Sequence, residues 1–356
     1  MIKKLLTLVA FATVLHANAQ DSTSTPLNIS GSVDAYYKYD FSGGKFGSAS
    51  GFTPGSSNIQ TYFANEQNSI SLGMIDVMLS KTTGKASFVG EVSFGPRGQG
   101  QSLVPSDDGE SFHIQNLYAS YAFTDKFSVT AGFMGTFVGY EVISPAANFN
   151  YSTSYLFGAG PFQNAGIKAD YAITDKVGVM VGLFNDWNVY QDFNGVSDFG
   201  AQLSVSPVEG WSAYLNFLTG YPSGTIIDLT TAYQITDKFK LGLNAADRSF
   251  SNSDDGGYSG IALYPQYGSE SASIGLRYEY FKNKDVTIGG VTTDGLSYNT
   301  FTLSGNLKAG GLTFIPEIRL DNASENVFYK KQSEFDLGTA TTKSATQFSL
   351  AVVYAF

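Results

Sequence analysis

The sequence predicts an all-β fold, a transmembrane antiparallel up-and-down β-barrel of about sixteen strands with long outer loops and short periplasmic turns. Three observations predict it. Apolar and polar residues alternate with a period of two in segments near the ~9 to 11 residues that a tilted spanning strand needs. Tight turns take turns with long irregular loops along the chain. The chain also carries 22 Tyr, 28 Phe and 39 Gly at a mean hydropathy close to zero. A soluble protein of that hydropathy hides its aromatics in a core, whereas a membrane barrel displays them outward around a polar interior.

At the N-terminus, Lys3 and Lys4, an apolar run over 5–15 and Ala17-Asn18-Ala19 read as a cleaved secretory signal over residues 1–19, leaving 20–356 as the barrel. The run is shorter than the ~20 apolar residues of a transmembrane helix, and no other stretch comes nearer. Without Lys3 and Lys4 the balance is 19 basic against 31 acidic residues. That acidity excludes nucleic acid, whose binders need a basic patch. The absence of Cys removes disulfides, a lipid-modified Cys and thiolate chemistry.

Strands are predicted at 27–41, 67–81, 85–95, 111–123, 126–136, 163–173, 176–187, 196–207, 210–221, 224–235, 238–250, 258–267, 271–282, 296–309, 311–321 and 344–356. Three turns share Thr-Asp-Lys, at Thr124, Thr174 and Thr236, with the Asp expected to bond its own backbone. Long loops at 42–66, 96–110, 137–162, 188–195, 251–257, 283–295 and 322–343 each follow an odd-numbered strand. Within 68–81 the alternation breaks, with Ile70, Leu72 and Met74 in one phase and Ile75, Val77 and Leu79 in the other, as at a bulge. Pro265 and Pro316 fall inside strands, which leaves fourteen or eighteen strands as alternatives. The last strand alternates cleanly through Phe348, Leu350, Val352 and Tyr354 to Phe356, a terminal pattern similar to the signal that outer-membrane barrels present to their assembly machinery.

The phase opposite the apolar face contains Asp34, Lys38, Lys168, Asp170, Arg248, Arg277, Glu279, Lys308, Glu317 and Arg319. An Arg or Lys facing lipid at the midplane would cost ~2 to 4 kcal/mol, so these residues are expected to line a wet lumen. Catalysis finds no support: His16 leaves with the signal, and sequence spacing names no catalytic Ser or Asp to go with His113. No cofactor or metal site is expected, since Asp107-Asp108 and Asp254-Asp255 fit no calcium loop and no phosphate-binding glycine loop occurs.

Asn65 to Ser69 leading into Leu72-Gly73-Met74, the segment 92–97 ending in Gly-Pro-Arg, 114–122, 132–162 with its PAANFNYSTSYLF core, and 166–171 followed by 182–186 resemble the OmpL-like family of beta-barrel porins of Gram-negative bacteria. The resemblance implies an outer-membrane barrel for passive transport and names no solute.

The expected function is therefore a porin: a water-filled channel for passive diffusion of ions and small hydrophilic solutes, with a mild cation preference from the acidic excess. The alternative is an occluded surface barrel acting in adhesion or architecture through its outer loops. Outer-membrane lipid and lipopolysaccharide, the assembly machinery and small solutes are the expected partners, and a homotrimer rests on fold analogy. The third outer loop, 137–162, stands apart. It holds Tyr140, Phe149, Tyr151, Tyr155, Phe157 and Phe162 but one charge, Glu141. Such a segment is poorly placed in bulk water, and loops this long are commonly functional. It is expected to fold inward and narrow the channel, with Glu141, Asn148, Asn150, Tyr151 and Tyr155 at the constriction opposite Arg or Lys of the wall. A cap over the barrel mouth is the other placement.

Overall fold

The computed structural model describes residues 25–47, 54–99, 112–250 and 255–356. The signal at 1–19 and the pair Asp107-Asp108 lie outside the described residues, as does Asp254. Sixteen strands close on themselves: β1 (Asn28–Asp40), β2 (Ser69–Thr83), β3 (Ala86–Phe94), β4 (Phe112–Ala122), β5 (Phe127–Gly135), β6 (Gln163–Thr174), β7 (Val177–Phe184), β8 (Asp198–Val205), β9 (Trp211–Gly220), β10 (Gly224–Gln234), β11 (Phe239–Ser249), β12 (Gly257–Gly268), β13 (Ala272–Asn283), β14 (Ser297–Ala309), β15 (Leu312–Ala323) and β16 (Ser344–Ala355). Each pairs antiparallel with its neighbours in sequence, and β1 meets β16 from Ser32↔Ala355 to Asp40↔Gln347. At this seam Gly31 and Phe356 exchange two backbone bonds of 3.0 Å, so the final residue takes part in closing the barrel. Closure matters in lipid, where an unpaired strand edge would have no water to satisfy it.

Alternation decides which face each residue takes. Leu117, Ile167, Leu183, Leu215, Ile227, Ile274 and Leu303 are exposed on the outside, where lipid replaces water. Nearer the short turns, Tyr121, Phe123, Tyr171, Trp211, Tyr267, Tyr354 and Phe356 form an aromatic girdle.

Both prolines lie inside strands and interrupt one ladder each. Pro265 pairs with Leu241 of β11, but the β12–β13 register skips from Leu263↔Tyr278 to Gln266↔Gly275. Pro316 pairs with Leu350 of β16, while β14–β15 skips from Ser304↔Glu317 to Leu307↔Phe314. A missing N–H affects one edge only, so the count stays at sixteen. In β2 the bulge is present: Val33 faces Ile75 and Ala35 faces Leu72. The extra residue carries Met74 inward, away from the lipid-facing Ile70 and Leu72 with which its sequence phase had grouped it. Asp34 accepts from the Met74 N–H at 2.9 Å there. The Thr-Asp-Lys turns also differ in detail. The hydroxyls of Thr124 and Thr236 accept from the N–H groups of Phe127 and Phe239 at 3.0 Å, so threonine takes the role expected of the aspartate.

Candidate functional site: the inner wall and the loop against it

The connection from β5 to β6 does not stay outside the barrel. Phe137 to Phe162 runs along the inner wall, and a buried stretch of irregular backbone must find partners for its N–H and C=O groups. The wall supplies them. Glu317 accepts from the N–H groups of Tyr151 (2.9 Å) and Ser152 (3.2 Å), and Glu279 from those of Tyr155 (3.0 Å) and Leu156 (2.8 Å). Arg277 donates to the Ser152 carbonyl at 2.6 Å, and Arg319 to the Thr153 carbonyl at 2.7 Å. Residues 151–156 thus have wall side chains where a strand would have another strand. Hydrogen bonds to charged groups contribute ~1.5 to 3 kcal/mol each, which explains how so polar a wall can hold an irregular loop.

Side chains add to the seat. Arg277 and Glu141 form an ion pair of 2.6 Å, both buried, and Glu141 also accepts from the N–H (2.7 Å) and hydroxyl (2.8 Å) of Ser154. Arg319 holds Asp321 through two bonds of 2.7 and 3.0 Å. The hydroxyls of Tyr151 and Tyr155 donate to Asp34 (2.6 Å) and Asp321 (2.8 Å). Asn150 donates to Ser304 at 2.7 Å, whereas Asn148 bridges within the loop to both backbone groups of Val142. The loop's start rests on a second polar row across β8 to β10: Gln202 donates to Asn216 and Asn216 to Asp228, each at 2.7 Å, while Asp228 accepts from the Gly139 N–H at 3.0 Å. Burial, together with the adjacent Glu141 charge, pushes the Tyr140 hydroxyl up to about 12, so the ring stays neutral.

The first outer loop lies over the third. Phe63 packs with Phe157 and Phe162, and Arg97 sits between the Phe63 and Tyr151 rings at 4.8 and 4.9 Å.

The ten wall residues named from alternation separate into groups. Asp34, Lys38, Arg277, Glu279, Glu317 and Arg319 are buried on the wall that carries the loop. Lys168 and Asp170 form a half-exposed ion pair of 3.3 Å. Arg248 is half-buried between the Trp187 and Phe250 rings, and Lys308 is exposed near a short turn. Asp321 escaped notice although it continues the phase of Glu317 and Arg319, a signal that was available. Asp228 was hidden because Ile226 shares its phase in an apolar strand. Asp76, buried in β2 and accepting from the Ser32 hydroxyl, was hidden by the bulge.

Sixteen antiparallel strands closed in a ring, with an apolar exterior and a charged interior that receives a loop, define a porin-type barrel of the outer membrane. The chain belongs to the family described as Putative beta-barrel porin-2, OmpL-like, which matches residues 26–356. This is a family of channels rather than of enzymes. Among solved structures it is similar to the outer membrane channel DcaP of Acinetobacter baumannii (11% identity, TM-score 0.60, covering 94% of this chain and 97% of that one). It is likewise similar to the trimer form of OmpT of Vibrio cholerae (12%, 0.55, 94% and 100%) and to an anion-selective porin from Comamonas acidovorans (12%, 0.56, 94% and 100%). At such identities the likeness shows the fold. No curated protein matches the chain.

Proposed function

We propose that the chain forms a water-filled channel for passive diffusion of ions and small hydrophilic solutes, with the third outer loop as its constriction. The observation that supports this reading most is the bonding of loop residues 151–156 to Arg277, Glu279, Glu317 and Arg319, because a loop so anchored takes a fixed share of the lumen. In this reading Glu141, Asn150, Tyr151 and Tyr155 fix the constriction, Asn148 shapes its free edge, and Lys168 and Asp170 belong to the wet wall. Deleting 145–155 raises the single-channel conductance of a barrel that still folds; an unchanged conductance places the loop outside the conducting path.

A second reading has one observation in its favour. Lys38, Arg277, Glu279 and Arg319 are at most 1% exposed, so that side of the lumen is dry, and an occluded barrel serving adhesion would share the feature. Conductance separates the two. The proposal also includes export by a signal cleaved after Ala19, which N-terminal sequencing of the protein from outer membranes reads directly. Contact with lipopolysaccharide, recognition of the strand ending at Phe356 by the assembly machinery, and a homotrimer complete it. Cross-linking in native membranes tests the trimer, and a monomer-only pattern would remove it.

A further inference from the structure

Three loop aromatics point at wall positions that have no side chain. Gly200 of β8, Gly242 of β11 and Gly275 of β13 all face the lumen, and each meets a ring of the third loop. A Cβ on Gly275 would stand 2.4 Å from Phe149 Cε1, one on Gly242 2.2 Å from the Tyr140 Oη, and one on Gly200 2.6 Å from Phe137 Cζ. Ordinary carbon contact is ~3.5 to 4.0 Å, so any residue larger than glycine would require the ring to move by about 1 Å. Glycine within a strand weakens it and marks a close approach of some other group. At Gly242 and Gly275 the three nearest atoms all belong to the loop ring. Gly260 is mixed: its Cβ would meet the backbone oxygen of Tyr280 at 2.8 Å and Cδ2 of the loop's Leu156 at 2.9 Å, so strand packing as well as the loop requires glycine there.

Neither ring has an easy retreat. Tyr140 is stacked on Tyr264 at 4.4 Å and 20°, and the Phe149 carbonyl accepts from Asn306 Nδ2 at 2.8 Å. A displaced ring therefore takes the loop backbone with it, away from the wall and into the remaining lumen.

We propose that Gly242 and Gly275 are positioning residues of the channel, sockets for Tyr140 and Phe149 that set how far the third loop stands from the wall and hence how wide the passage is. The inference rests on the porin reading above. Single-channel conductance in planar bilayers tests it, on barrels whose folding is verified by heat-modifiable gel mobility. Gly242→Ala and Gly275→Ala lower the conductance, and adding Tyr140→Ala or Phe149→Ala to the matching variant returns it toward wild type. Gly90→Ala, at a position with open space around it, leaves conductance unchanged. A merely structural weakening of the strand would not be reversed by shrinking a loop side chain.

If the glycine variants do not fold, Tyr140→Ala and Phe149→Ala in the native wall provide the second arm, since an emptied socket frees the loop and raises open-channel noise. Conductance that ignores the glycine substitutions, a double variant without recovery, or ring variants as quiet as wild type each overturn the sockets. Sockets that fail while the 145–155 deletion still raises conductance leave the porin reading standing. Wild-type barrels that never conduct remove both.

Discussion

Arg277 shows how the inner wall works at the scale of one side chain. It is fully buried, and its guanidinium reaches the Glu141 carboxylate, the Ser152 carbonyl and the Thr302 hydroxyl. Taking a cation out of water is costly, and the cost is offset only where good geometry satisfies most of the group; here both terminal nitrogens are bonded and Nε alone is not. Removing one member leaves a buried charge uncompensated, a loss of ~3 to 5 kcal/mol. Arg277→Met should therefore lower stability by about that amount in urea titrations of the folded barrel, and adding Glu141→Gln should recover part of it. A single variant as stable as wild type would mean that the pair contributes nothing to holding the loop. Glu141 drew attention in the sequence as the one charge of an aromatic loop, and a wall Arg or Lys was expected opposite it. Its particular partner was not legible, because Arg277 is 136 positions away and alternation assigns a face, not a depth along the barrel.

Strands were the most legible elements. All sixteen were readable because the side-chain period of two is imposed on each by lipid outside and polar groups inside. Boundaries moved by a few residues, as where β7 ends at Phe184 rather than at 187. The departures have local causes: a bulge that reverses the phase of Met74, and threonine hydroxyls that close the turns. The third loop was legible only as an anomaly of composition. It has no period, and the glycine sockets that receive it look like any other strand glycine until the loop is placed against them. The closing strand yields a prediction at this scale. Since Phe356 bonds to Gly31 through both backbone groups, deleting it removes two seam bonds and one girdle aromatic. The folded, heat-modifiable fraction in outer membranes should fall clearly below wild type, and an equal fraction would show that the last residue is dispensable for closure.

At the scale of the whole molecule the charge is unevenly used. The chain has 31 acidic against 21 basic residues, yet at the loop-bearing wall Glu141 is paired with Arg277, and Asp34, Glu279, Glu317 and Asp321 are engaged by Arg319 and loop hydrogen-bond donors. Compensated charges of this kind contribute little field to a passing ion. The remaining acidic excess supports a mild preference for cations, which the reversal potential across a salt gradient measures; clear anion selectivity would contradict it. The central claim is that a lumen partly taken by its own loop still conducts. Purified, refolded protein in a planar bilayer tests it most directly: discrete conductance steps are the predicted result, and well-folded barrels that never open a step would contradict the account.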